Sequence, residues 1–174
     1  VKLLGHGASA VVCEARDLKW KSSRVALKLF PRADEDEGFA AVQQEAWNLR
    51  ELHHENVVSV QDFDRAEIHP GGLRCHWLSM ELMEGGSLRA WLGKPREDAE
   101  ILAMLRQVGE GLAYAHGRDV IHRDLKPENV MLTADNVPKL VDFGLAASKA
   151  AGDQSGIVGT PAFMAPEALR GGPL

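Results

Sequence analysis

Apolar residues follow two rhythms along this chain. Before residue 84 they fall mostly in short runs set off by small or polar residues, the pattern of β-strands. Such runs occupy residues 1–4, 11–15, 25–30, 57–63 and 73–82. The first two are joined by Gly5-His6-Gly7-Ala8-Ser9-Ala10, a loop of small residues that predicts a hairpin. One stretch breaks the series. Val42, Ala46, Leu49 and Leu52 recur at spacings of three and four, which predicts one face of a helix. The acidic run Asp34-Glu35-Asp36-Glu37 ahead of it suits a helix N-terminus, and His53-His54-Glu55-Asn56 is expected to cap the other end.

After residue 84 the rhythm changes. Gly85-Gly86 interrupts the chain, and residues 87–92 predict a short helix with Ser87 as N-cap. A longer helix follows over residues 97–116. Its stripe is Ile101, Met104 or Leu105, Val108, Leu112 and Ala115, and Gly117 ends it. Two short strands are expected at residues 130–132 and 139–141. Residues 145–164 are rich in Ala, Gly and Ser without periodicity, and a connection of that length is usually functional or mobile. The change of rhythm predicts an α+β protein in two parts, residues 1–83 and 84–174.

Composition narrows the class. The chain has 174 residues, 45 % hydrophobic and 26 % charged, as in an ordinary globular protein. A net charge of −5 argues against a nucleic-acid partner, which selects a basic footprint. Cys13 and Cys75 stand far apart and form no metal-binding pair, so a reducing, cytoplasmic setting is the expectation. No apolar run approaches the length of a membrane span. The first residues already read as a strand, so the chain is expected to be a piece of a longer protein.

The candidate chemistry gathers in Ile121-His122-Arg123-Asp124-Leu125-Lys126-Pro127-Glu128-Asn129. A turn accounts for Asp, Pro and Asn, but not for His, Arg, Asp, Lys and Asn at five fixed positions before the apolar run Val130-Met131-Leu132. Asp124 supplies a carboxylate, a residue type suited to accepting a proton. Asn129 offers an amide oxygen to a cation, and Lys126, two residues after Asp124, offers an ammonium to an anion. Asp142-Phe143-Gly144 follows 18 residues after Asp124 and puts a second carboxylate at a strand end. Upstream, Lys28 interrupts the apolar strand 25–30. It either points to water from an edge or meets an anion. Glu45, beside the apolar face of the first helix, is the acid that could pair with it. In the Gly5–Ala10 loop, small side chains leave backbone N–H groups accessible to phosphate oxygens.

In this order the motifs resemble the catalytic domain of a eukaryotic-type protein kinase. The glycine-rich loop, V-A-L-K, His-Arg-Asp-Leu with Asn129, Asp-Phe-Gly and Ala165-Pro166-Glu167 span residues 3–167. Leu125-Lys126-Pro127-Glu128-Asn129, with Gly159-Thr160 before Ala165-Pro166-Glu167, resembles the serine/threonine branch; tyrosine kinases usually carry Ala/Arg-type sequences at the position of Lys126. The resemblance implies a bilobal fold: an N-lobe of antiparallel sheet plus one helix, and a mainly helical C-lobe that is incomplete in this chain. It implies ATP and Mg²⁺ between the lobes and transfer of the γ-phosphoryl group to Ser or Thr of a protein substrate. Asp124, Lys126, Asn129 and Lys28 would be catalytic, with Asn129 and Asp142 holding metal. Leu4, Gly5, His6, Gly7, Ala8, Ser9 and Ala10 would border the phosphates, and Lys28 would be held there by Glu45. Val12, Ala26 and Met131 would sandwich the adenine beside Met80, with the backbone of Glu81 and Met83 on its edge. Leu49, Val60, His122 and Phe143 would stack into a spine, and Thr160 would steady Asp124 and Lys126. Arg123 would receive a phosphorylated Ser148 or Ser155, modified by an upstream kinase. Two departures stand out. Ala10 replaces a glycine of the loop, and the family's later helices are missing, so the 174 residues alone are expected to be marginally stable. The alternative function is a pseudokinase, an ATP-binding scaffold without transfer.

Overall fold

The computed structural model describes residues 1–7, 10–18, 23–30, 43, 46–47, 49–67, 74–143 and 160–169. The chain divides into two compact units, Val1–Glu51 with Val58–Leu82, and Leu52–Val57 with Met83–Leu174. These bounds place Leu52–Val57 and Met83 with the second unit, where the reading of the sequence put them in the first.

The first unit is a five-stranded antiparallel sheet. Its strands are β1 (Lys2–His6), β2 (Val11–Asp17), β3 (Ser23–Phe30), β4 (Val60–Glu67) and β5 (Arg74–Glu81), in the order β1-β2-β3-β5-β4. Each expected strand is present, with ends moved by a few residues. Strand β3 begins at Ser23, two residues before the expected apolar run. Arg24 pairs opposite Arg16 and its Nε donates to Glu14 Oε1 at 2.7 Å. Strand β3 lies at the centre of the sheet, between β2 and β5, so its Val25, Ala26 and Phe30 are buried. Val25 and Phe30 each contribute about 1.5–3 kcal/mol by leaving water. Residues 46, 47, 49 and 50 are helical, with Ala46 and Leu49 buried as their spacing requires.

The second unit is built on helices. Helix α1 (Leu88–Leu92) starts at Ser87, whose hydroxyl accepts from Ala90 N. Helix α2 (Asp98–His116) opens with a capping box: the Glu97 side chain takes an N-terminal amide, and the Glu100 carboxylate accepts from Glu97 N. Met104 supplies the buried position of its stripe, whereas Leu105 is 56 % exposed. A small sheet of β6 (Gly86–Ser87), β7 (Val130–Leu132) and β8 (Pro138–Leu140) completes the core. Helix α3 (Pro166–Leu169) is the last element among the described residues. Among the described residues, no helix is long and apolar enough to cross a membrane.

His53–Asn56 does not cap a helix. The described helix residues stop at 50, and the segment turns across α2 and β8. His53 N donates to Tyr114 Oη (3.0 Å), and the His54 ring packs on Tyr114 at 4.7 Å. Asn56 Nδ2 donates to Pro138 O (2.9 Å), Leu140 N donates to Asn56 O (2.9 Å), and Val57 bridges Leu140. Gly111 of α2 makes this approach possible. A Cβ there would lie 2.8 Å from Asn56 O and 3.1 Å from Leu140 Cδ1. Gly111→Ala is expected to cost about 1–3 kcal/mol, the range of core overpacking. Urea unfolding of the full-length protein measures it, and an unchanged midpoint would contradict this packing.

Candidate functional site

The loop before β7 is shaped by local chemistry. Arg123 adopts φ 62, a left-handed conformation that costs a non-glycine residue on the order of 1–3 kcal/mol. That turn lets Asp124 N donate to His122 O at 2.9 Å. Lys126 is extended. Pro127, its φ fixed, starts a 3₁₀ turn over Pro127–Asn129, closed by Asn129 N donating to Lys126 O at 2.9 Å. Asp124, Lys126 and Asn129 are thereby brought together, as their spacing predicts.

Four donors converge on the Asp124 carboxylate. Thr160 N (2.8 Å) and Thr160 Oγ1 (2.7 Å) donate to Oδ1. Lys126 Nζ (2.6 Å) and Asn129 Nδ2 (3.0 Å) donate to Oδ2. Lys126 Nζ also donates to Thr160 Oγ1 at 2.8 Å, which closes the ring of bonds. Burial by itself would raise the Asp124 pKa. The Lys126 and Thr160 hydrogen bonds, with the Lys126 charge, outweigh it and hold the carboxyl below its ordinary 3.8. Asp124 is therefore a fixed, ionised and weakly basic acceptor at neutral pH.

The strand end that carries Asp142 is tied to the same loop. Val141 N donates to Asn129 O (3.0 Å), and His122 Nε2 bonds Val141 O (2.9 Å). The His122 ring packs on Phe143 at 4.5 Å, and both residues are buried. Asp142 itself has φ 61, a second strained non-glycine residue beside this loop. Of the expected spine, His122 and Phe143 are thus in contact within one unit. Leu49, also buried, belongs to the other.

Burial depresses the His122 pKa below its ordinary 6.5. The bond to Val141 O and the nearby carboxylates Asp124 and Asp142 oppose this without reversing it. The imidazole is therefore neutral at pH 7, and Nε2–H is the donor. The folded protein binds this proton less readily than the unfolded chain, so the contribution is complete above about pH 6.5 and declines as pH falls below it. His122→Gln keeps a donor but does not titrate. Its stability in urea is expected to fall less steeply with acid below about pH 6.5, and a slope equal to the parent's would rule the assignment out.

In the first unit, register sets the remaining candidates. Val12 pairs with Lys28, Lys28 with Leu78, and Ala26 with Met80, so Val12, Ala26, Lys28 and Met80 share one face of the sheet. Lys28 is 9 % exposed, with Nζ 5.1 Å from the centre of the Phe30 ring. Leu4, Gly5 and His6 lie on β1, and Gly7 N donates to Ala10 O at 2.8 Å to close the small-residue turn. Glu81 N donates to Ser59 O (3.1 Å), so the backbone bonding expected of Glu81 narrows to its carbonyl. Met83 and Met131 belong to the second unit, Met131 half-buried on β7 opposite Ser87 and Lys139. Ala8, Ser9, Glu45, Gly144, Ser148 and Ser155 lie outside the described residues, as does the Lys28–Glu45 pair.

Residues outside the motifs also hold the site. Val141 carries its two backbone links, and Asn56 anchors β8, the strand that leads to Asp142. A polar Asn between a helix and a strand was the available signal for Asn56. Its partner, 82 residues away, was not legible.

Comparison with known proteins shows the family. The family model described as Protein kinase domain matches residues 1–174. The chain is 38 % identical over 180 residues to Serine/threonine-protein kinase PknD of Mycobacterium tuberculosis, covering 98 % of this chain and 26 % of PknD. It is 34 % identical to Serine/threonine-protein kinase PknL of the same organism (97 % of this chain, 42 % of PknL). It is 38 % identical over 135 residues to Serine/threonine-protein kinase Pkn1 of Myxococcus xanthus, covering 73 % of this chain and 19 % of Pkn1. The chain therefore spans from about a fifth to two fifths of the length of these relatives.

Proposed function

The chain belongs to the protein kinase family, and on that premise we propose that it serves transfer of the ATP γ-phosphoryl group to Ser or Thr hydroxyls of protein substrates. The observation that carries the proposal is the four-donor setting of Asp124. A carboxylate so held accepts a hydroxyl hydrogen bond in a fixed direction. It takes the proton only once the oxygen has lost basicity to the phosphorus. Lys126, bonded to both Asp124 and Thr160, keeps its ammonium beside the reacting oxygens. Thr160 aligns the acid with two donors, and so acts on the reaction through Asp124.

The donor set fits a magnesium ion. Asn129 commits Nδ2 to Asp124, which directs its Oδ1 away as an oxygen ligand, and Asp142 adds a carboxylate. One carboxylate and one amide oxygen suit a small hard cation that fills its shell with phosphates and water. Bound Mg²⁺·ATP would supply the phosphoryl group and offset the charge that develops on its oxygens. Lys28, with Val12, Ala26 and Met80 on the same sheet face, is assigned to the nucleotide phosphates and base.

The serine/threonine preference is supported by Lys126 and Thr160 and by the relatives' names. Phosphoamino-acid analysis tests it. The full-length protein, incubated with γ-labelled ATP, Mg²⁺ and a generic basic protein, is expected to leave label on Ser or Thr. Label confined to Tyr, or nucleotide binding with no transfer, would count against the proposal.

A further inference from the structure

The second unit takes up the chain at Met83, and two residues later Gly85 meets β7. Gly85 N donates to Leu132 O at 2.9 Å. The pairing continues with Gly86 opposite Leu132 and Ser87 opposite Met131. Helix α1 begins at Leu88, so the segment is tied at its far end as well.

The approach at Gly85 leaves no room for a side chain. A Cβ built there would overlap Thr133 O and lie 2.9 Å from Leu132 Cβ. Neither neighbour is free to give way. Leu132 is fully buried. Thr133 O accepts from Asn136 N at 3.0 Å. The same turn is closed by Thr133 N donating to Val137 O (3.0 Å) and Val137 N donating to Thr133 Oγ1 (3.1 Å). A side chain at 85 therefore displaces its own segment and leaves β7 in place.

That segment carries Met83. Met83 is half-buried, and among the described residues nothing bonds its backbone N–H or C=O. Backbone groups drawn out of water ordinarily have a partner, so this pair is open to one. On β7, Val130 and Leu132 are buried and Met131 between them is half-buried, so the Met131 side chain stands on the opposite face. The Gly85 bond and the pairing after it tie the Met83 backbone to the strand that carries Met131.

We infer that Gly85 is a positioning residue for the nucleotide base. Lacking a side chain, it lets Met83–Gly85 lie against β7, which holds the Met83 N–H and C=O in fixed register with Met131. The inference rests on the nucleotide reading proposed above. Gly85 acts on the base only through Met83. A fixed N–H suits adenine, whose N1 is a bare acceptor. Guanine presents N1–H instead, and donor then faces donor.

Calorimetric titration of the full-length protein with ADP and with GDP reads base recognition without transfer. The parent is expected to prefer ADP. Gly85→Ala is expected to weaken ADP by about tenfold, the contribution of roughly one well-made hydrogen bond. GDP should weaken by less, so the ADP-over-GDP ratio falls. In transfer assays the KM for ATP should rise by a similar factor while kcat stays within about threefold. Gly111→Ala is the structural control, because its added Cβ meets Asn56 and Leu140 instead. It should lose stability and keep the ratio. An unchanged ratio in Gly85→Ala, or equal weakening of both nucleotides, overturns the inference. If Gly85→Ala does not fold, amide hydrogen exchange on the parent decides. The Gly85 N–H is expected to be protected before nucleotide is added, and the Met83 N–H to slow with ADP and not with GDP. A freely exchanging Gly85 amide, or a Met83 amide indifferent to the base, overturns the inference. Binding of neither nucleotide by the parent would count against the proposed function itself, and the inference would fall with it.

Discussion

Asp124→Asn is expected to lower phosphoryl transfer by about 10²–10⁴-fold, the contribution of a positioned general base. The substitution is nearly isosteric. Its amide oxygen can still accept from Thr160, but its NH₂ then faces the Lys126 ammonium and the Asn129 amide, which are themselves donors. Donors facing donors cost about 1–3 kcal/mol locally, and the group can no longer take a proton. Initial rates beside a thermal melt separate the two effects. A rate loss much larger than the stability loss is the expected outcome. A rate within a few-fold of the parent's would remove Asp124 from the mechanism.

Lys28→Met carries the second large effect. Lys28 lies in the interior strand β3 and is 9 % exposed, with its ammonium near the Phe30 ring. Taking an ammonium out of water costs several kcal/mol unless an anion or hydrogen bonds compensate. Methionine fills the same volume without charge and packs acceptably in an apolar strand. If Lys28 serves the nucleotide phosphates, transfer falls by about 10²–10³-fold, the loss on removing one stabilising donor. Nucleotide binding measured by titration should weaken with it. Intact transfer accompanied by a lower melting temperature would show that Lys28 serves only the fold.

Much of this was readable from the residues. β1, β2 and β3 follow from short apolar runs, and α1 from its Ser87 cap. Asp124, Lys126 and Asn129 were legible because the loop is shaped by neighbours, above all Pro127 and the bond from Asn129 N to Lys126 O. What stayed hidden depends on distant partners. His53–Asn56 reads locally as a helix end, yet Tyr114 and Pro138, far along the chain, decide its course. Met104 and Leu105 are equivalent on a helical period, and only the packing of α2 buries one and exposes the other. Thr160, 36 residues beyond Asp124, came from resemblance, since no spacing rule joins a threonine to a carboxylate so remote. The strain at Arg123 and Asp142 was equally invisible, because neither residue type demands positive φ.

The most direct measurement follows γ-labelled phosphate and nucleotide binding on the same preparations of the full-length protein and its Asp124→Asn variant, with Mg²⁺ and a basic acceptor protein. The account predicts that both bind nucleotide alike and that only the parent places label on Ser or Thr. Label transferred equally by both would contradict the assignment of Asp124 as the group that takes the hydroxyl proton.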